Sequence, residues 1–295
     1  MTQSGRSRVA ITATGRKTSG VPAGSPYHST PASLPGAFVA LACLAFGGPA
    51  LASDAFSTDW ARSPKSQARL VAAGARLAGF EIELAPEAIT YWRNPGDSGI
   101  PPTFDFAGSV NVAKVEPVFP APKRIKEADG GEAFGYEGGV VVPMRVEPVD
   151  GGKPVTLALH ASYAVCEKVC LPAEARLKLT LPQGAGSPHA DRIEAALSAV
   201  PTPVRPDEFG KLAADGAAGW RLCPKSDDEA ARDLFVEPPP GWWVTAAPAP
   251  EGEGKCFRLA LREKPKDAAF PVNLRLTLTG GARPVETTVA APKPH

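Results

Sequence analysis

Two cysteines separated by three residues, Cys166 and Cys170 in "YAVCEKVCLP", are the residues of this sequence best suited to chemistry. Paired thiols can staple a fold, hold a soft metal ion or exchange electrons through a disulfide. In an extended strand their Cα atoms would lie roughly 13 Å apart, beyond the span of a disulfide, so a bond between them requires the chain to turn. The charged Glu167-Lys168 tip suits such a reversal and keeps both sulfurs near the surface. As a staple the pair contributes little, because the loop it closes is among the smallest available. As a metal site it lacks partners: zinc normally takes four ligands, and no further Cys or His sits at ligand spacing nearby. No metal is therefore expected, with Cu(I) held by two thiolates as the remaining metal alternative. His160 reads first as a solvent-facing residue, then as a thiol-tuning neighbour, and last as a ligand; Met144 is the other soft donor of the mature chain. Disulfides that close small loops are often the reducible ones, and exchange needs only an accessible, partly ionised thiol and a resolving neighbour, with no cofactor.

The elements that must position the pair have a period of two. In "VTLALHASY", Val155, Leu157, Leu159, Ala161 and Tyr163 share one face, and after the cysteines Leu177, Leu179 and Leu181 share one in "ARLKLTLP". In "GFEIELAP", Phe80, Ile82 and Leu84 alternate with Glu81 and Glu83, a strand with one wet face. Gly/Pro turn signals at 94–99, 120–124, 136–139 and 149–154 separate such runs. The pattern predicts an all-β chain: an immunoglobulin-like antiparallel sandwich over 53–183, then a second, smaller β-domain over 210–295. Between them, 184–209 reads as a linker in which "PHADRIEAALSAVP" spaces Ile193, Ala196, Leu197 and Val200 as a short bridging helix. In the second domain, "PPPGWWV" reads as a turn entering a strand whose Trp pair supplies core, and Cys223 with Cys256 form a candidate structural disulfide.

The first 52 residues differ from the rest. A basic, Ser/Thr/Gly-rich leader precedes the apolar run "LPGAFVALACLAFGGPALA", which ends in a small-residue exit suited to signal peptidase. This predicts a cleaved signal peptide, a mature start near Ser53, loss of Cys43 with the leader, and an exported product. Thirty-two basic against 31 acidic residues, with no Lys/Arg-rich run, exclude the electrostatic footprint of a nucleic-acid binder.

The order "AFGYEGGVVVPMRV…VTLALHASYAVCEKVCLPAEARLKLTL", with "YWRNPGDSGIPPTFDF" upstream, resembles the N-terminal periplasmic domain of the DsbD family of thiol:disulfide interchange proteins and its ScsB-like members. The resemblance runs from about Asp59 to Pro182 and is carried by Tyr163, the two cysteines and Pro172. It implies an immunoglobulin-like domain that takes electrons from a membrane thiol carrier, CcdA-like or like the membrane domain of DsbD, and passes them to periplasmic thioredoxin-like proteins. By the same implication Cys170 forms mixed disulfides, Cys166 resolves them, and Phe134 and Tyr136 fall where the family has a cap loop, with Tyr163 packed beside the site. The Cys spacing is shorter than in the best-known members, and the chain lacks the family's membrane and C-terminal thioredoxin-like domains. A copper-handling protein or a cytochrome-maturation adaptor is the alternative from outside enzymology.

Overall fold

The structure, a computed structural model, describes residues 54–295 apart from 98, 128–129, 185, 226–232 and 251–254. The leader, its cleavage site and Cys43 lie outside the described residues. No helix among the described residues is long and apolar enough to cross a membrane.

Eleven strands build the first sandwich: β1 (Ala61–Ser63), β2 (Ser66–Gly74), β3 (Leu77–Leu84), β4 (Ile89–Gly96), β5 (Thr103–Asp105), β6 (Val112–Pro117), β7 (Lys123–Lys126), β8 (Glu132–Glu137), β9 (Gly139–Pro148), β10 (Thr156–Cys166) and β11 (Cys170–Thr180). One sheet has the order β1-β2-β3-β9-β6, the other β11-β10-β4-β8-β7 with β5 paired to β10. Their inner faces share one core, in which Phe80, Met144, Leu157 and Leu181 are almost fully buried. Each such side chain stabilises the fold by about 1.5–3 kcal/mol relative to exposure.

The β10–β11 register follows from this pattern. Leu157 faces Leu179, Leu159 faces Leu177, Ala161 faces Ala175 and Tyr163 faces Ala173, so every inward residue of one strand meets an inward residue of the other. A one-residue slip would turn these leucines to water. The ladder runs unbroken to its end, where Cys166 and Cys170 are directly opposed. β11 is the edge of its sheet, and its outward residues Glu174, Arg176 and Lys178 are exposed.

Two expectations change. Glu81, expected on a wet face, is 6% exposed, bonded by Arg69 (2.7 Å) and paired with Arg192. The cover is helix α1 (Ala190–Ser198), which rests on this sheet instead of bridging two domains. Its one fully buried residue, Ile193, lies over Gly79, where a Cβ would come within 3.2 Å of it.

A second, smaller pair of sheets follows: β12 (Thr202–Pro203), α2 (Pro206–Phe209), β13 (Gly210–Ala214), β14 (Gly219–Pro224), β15 (Asp233–Glu237), β16 (Trp243–Pro248), β17 (Phe257–Glu263), β18 (Val272–Thr279) and β19 (Val285–Ala291). The sheets are ordered β12-β19-β18-β15 and β13-β14-β17-β16 around Trp220, Leu222, Leu234 and Leu274. The protein is all-β, as its alternation implies. The "WW" pair divides: Trp242 packs edge-on against Phe270 (5.3 Å), whereas Trp243 stays 44% exposed and donates its indole N–H to Asp97 (3.1 Å).

Cys223 and Cys256 are disulfide-bonded, with Cα atoms 4.2 Å apart and 33 residues of separation. Loop-closure entropy for that separation is about 3–4 kcal/mol. Replacing both by Ser is expected to cost about 3 kcal/mol in urea unfolding. An unchanged midpoint would show that the bond adds nothing to the folded state.

β15 meets the first sandwich along its whole length. Phe235, fully buried, enters the first core with its ring 4.9 Å from Phe134 and 5.8 Å from Trp92. Arg124 donates to both oxygens of Asp233 (3.1 and 2.9 Å) and to the Leu234 carbonyl (3.0 Å). Asn94 donates to the Val236 carbonyl (2.9 Å), and Arg93 forks onto Glu237 (2.9–3.2 Å) and reaches Glu286 (2.9 Å). Burial works against both guanidinium charges, and these carboxylates outweigh it.

Candidate functional site

The tip of the β10–β11 hairpin carries a disulfide between Cys166 and Cys170, whose Cα atoms are 4.1 Å apart. The two sulfurs are not equivalent. Cys166 ends β10 at 6% exposure, packed in a small cluster with Ile89, Tyr91, Ala133 and Ala164, whereas Cys170 opens β11 on the exposed side. Between them Glu167 pairs with Lys65 (2.8 Å), whose hydrogen bond and charge hold the carboxyl below its usual range. Val169, next to Cys170, is 68% exposed. An open cleft of about 470 Å³ beside Cys166 is lined by Ile89, Ile125, Glu127, Glu137 and Glu167 among others.

Among the described residues, two polar side chains reach the sulfurs. The Tyr91 hydroxyl lies 3.2 Å from Cys170 Sγ and donates to Glu127 Oε1 at 3.3 Å. One carboxylate oxygen of Glu127 and both sulfurs fall within 4.8 Å of one another. A phenol has one proton, and here it points at the carboxylate. Toward Cys170 the oxygen can then only accept, which suits a thiol S–H once the disulfide is reduced. The chain S–H to Oη–H to carboxylate favours the protonated thiol, and a carboxylate so close disfavours a thiolate. Glu127→Gln and Tyr91→Phe are each expected to speed iodoacetamide alkylation of reduced Cys170 at pH 7 by about tenfold, since the thiolate is the reacting form. Slower alkylation in either variant would reverse this reading of the pair.

The three aromatic neighbours expected from the sequence lie elsewhere. Side chains alternate across a strand, so Phe134 and Tyr136 point from β8 to the core face while the disulfide lies on the other. Phe134 packs on Phe235, and Tyr136 is buried with its hydroxyl donating to the Pro120 carbonyl (2.7 Å). Burial pushes its phenol far above the ordinary range. Tyr163 is also a core residue, 3% exposed, 5.9 Å from the Phe80 ring and 3.1 Å from Ser66 Oγ. The structure thus does not bring Phe134, Tyr136 or Tyr163 to the cysteines. The segment beside the pair is the earlier hairpin between β7 and β8, through Glu127, together with Tyr91 of β4. Sequence reasoning missed both, although Tyr91 opens the "YWRNPGDSGIPPTFDF" stretch that shares in the resemblance. His160 lies well along the ladder, paired with exposed Glu174 (3.3 Å), and Met144 is fully buried in the core. Glu127 adds an oxygen donor to the two sulfurs, so a three-donor set becomes available when the disulfide opens.

Residues 61–182 match the family described as thiol:disulfide interchange protein DsbD, N-terminal. Among solved structures the chain is similar to the N-terminal periplasmic domain of ScsB from Proteus mirabilis, at 21% identity and a TM-score of 0.63. That likeness covers 81% of this chain and 99% of the other, so it extends beyond the family match into the second pair of sheets. No curated protein matches the sequence significantly. The first sandwich, with the cysteine pair at its hairpin tip, is a domain similar to the DsbD N-terminal family.

Proposed function

We propose that this protein is an exported thiol–disulfide exchange protein, a component of a protein-disulfide reductase system in the periplasm. It relays reducing equivalents from a membrane thiol carrier to thioredoxin-like proteins through Cys166 and Cys170. The observation that carries the reading is the asymmetry of the pair, an open sulfur at Cys170 bonded to a buried one at Cys166. The similar ScsB domain is described as periplasmic, which supports the location.

The steps follow from that asymmetry. A donor thiolate attacks Cys170 Sγ, the Cys166–Cys170 bond breaks, and Cys166 leaves with the electron pair and takes up a proton. The donor's second thiolate then attacks its own sulfur in the mixed disulfide and releases Cys170 as a thiol. Toward an acceptor the order reverses: Cys170 attacks the acceptor disulfide, and Cys166 displaces the acceptor sulfur to re-form the bond. Two electrons and two protons pass in each cycle.

The test is the reduction potential of the pair, by thiol trapping in dithiothreitol and glutathione buffers with Cys223 and Cys256 changed to Ser. A value of roughly −270 to −120 mV, the range of exchange proteins, is expected. One well below about −300 mV would mark a structural bond and sink the relay.

A second reading rests on the donor set of Glu127, Cys166 and Cys170. After reduction two thiolates and a carboxylate could hold a soft ion such as Cu(I). It requires one-to-one Cu(I) binding by the reduced protein that disappears in Cys166→Ser.

A further inference from the structure

Tyr91 and Glu127, polar groups against Cys170 among the described residues, stand on β4 and directly after β7, strands that β15 grips from the other side. On β4, Tyr91 is followed by Trp92, Arg93 and Asn94, which meet Phe235, Glu237 and the Val236 carbonyl. On β7, Arg124 is held by Asp233 and the Leu234 carbonyl, and Glu127 stands at the end of that short strand. Arg124 also donates to Glu132 (2.6 Å), where the chain returns from the same hairpin. Its guanidinium sits 4.9 Å over the Phe134 ring, and Phe134 flanks Gly135, the register partner of Tyr91. Five consecutive residues of β15 thus contact both strands that present the disulfide's polar neighbours.

We propose that β15 is a clamp on the exchange site, with Asp233 and Glu237 as positioning residues that hold Glu127 and Tyr91 against Cys170. The second pair of sheets then sets the reactivity of a cysteine pair it does not touch. This inference rests on the exchange reading of the pair. Neither residue contacts a sulfur: Asp233 acts through Arg124 and the hairpin that follows it, and Glu237 acts through Arg93 and the strand that carries Tyr91. When the clamp loosens, Tyr91 and Glu127 lose their fixed places against Cys170 and the sulfur opens to attack.

The test uses the whole protein, with Cys166 and Cys170 reduced and Cys223–Cys256 left bonded. Alkylation of Cys170 by iodoacetamide is followed by mass spectrometry alongside the melting temperature. Asp233→Ala and Glu237→Ala should each raise the Cys170 rate at pH 7 by about threefold or more, and Asp233→Glu should restore it. In a Glu127→Gln, Tyr91→Phe background the same substitutions should have no further effect on the rate, because the groups they position are gone. A merely structural contact would lower the melting temperature and leave the rate within twofold of the parent, which overturns the clamp. So would an Asp233 effect of full size in the double background. The two readings fail separately. A pair that no dithiol buffer opens refutes exchange and the clamp together, whereas a normal pair indifferent to Asp233 and Glu237 refutes the clamp alone.

Discussion

Cys170→Ser is expected to abolish exchange with a thioredoxin-like protein, a fall of roughly a thousandfold or more, the scale seen when a nucleophile is removed. Cys166→Ser should behave differently. It leaves the open sulfur in place, so Cys170 still attacks an oxidised disulfide and sends the electron pair to the leaving sulfur. The resolving step is then missing and the mixed disulfide accumulates. With oxidised thioredoxin as the probe, a non-reducing gel should show a dithiothreitol-sensitive adduct for Cys166→Ser and none for Cys170→Ser. The prediction depends on burial, since the sulfur left in Cys170→Ser belongs to a residue only 6% exposed behind Ile89 and Ala164. Equal trapping by both variants would remove the assigned roles, and trapping by neither would remove the relay.

Phe235→Ala should be among the most destabilising single substitutions in the chain, by about 3–5 kcal/mol. The side chain is fully buried, yet its strand belongs to one pair of sheets and its ring to the core of the other. Truncation empties a site lined by Trp92, Phe134 and the Arg124 guanidinium, which lies 5.4 Å from the ring. Rigid strands on both sides cannot collapse to fill it, so the full cavity cost is expected. For a protein of this size the loss corresponds to a melting point lower by about 10 °C. Phe235→Leu, which keeps most of the volume, should cost less than about 2 kcal/mol. An alanine variant within 1 kcal/mol of the parent would mean that the two pairs of sheets are held together by their polar contacts alone.

The strands were legible wherever one face is apolar and the other wet, as in β10 and β11, because alternation and burial are the same fact seen twice. It failed at Glu81, whose wet face is closed by a helix from more than a hundred residues away, with Arg192 as its cation. That the cysteines could pair was legible from their spacing and the turn it requires, whereas the exchange reading came from the family resemblance. The neighbours of the pair were not legible, for a geometric reason. Tyr91 meets Cys170 across 79 residues of sequence, and whether Tyr91 or Trp92 faces the disulfide depends on the pairing of β4 with β10. A sequence shows that two residues alternate without showing which side a distant strand lies on. Phe134 and Tyr136, which the resemblance puts in a cap loop, lie instead on β8 with their side chains on the core face. The contacts of β15 left no local trace at all, since "DLFVE" reads as an ordinary strand.

The position of β11 at the rim of its sheet constrains how any protein can arrive. An open rim offers unpaired backbone groups and invites another chain to lengthen the sheet, but charged side chains along it discourage that union. Glu174, Arg176 and Lys178 line this rim from the reactive end onward. Sideways annealing is thereby disfavoured, which leaves the blunt end, where Val169 and Cys170 are exposed, as the approach for a partner of the proposed relay. A visitor that touches only the end of a hairpin leaves as readily as it comes, which is what a shuttle of electrons between successive partners requires.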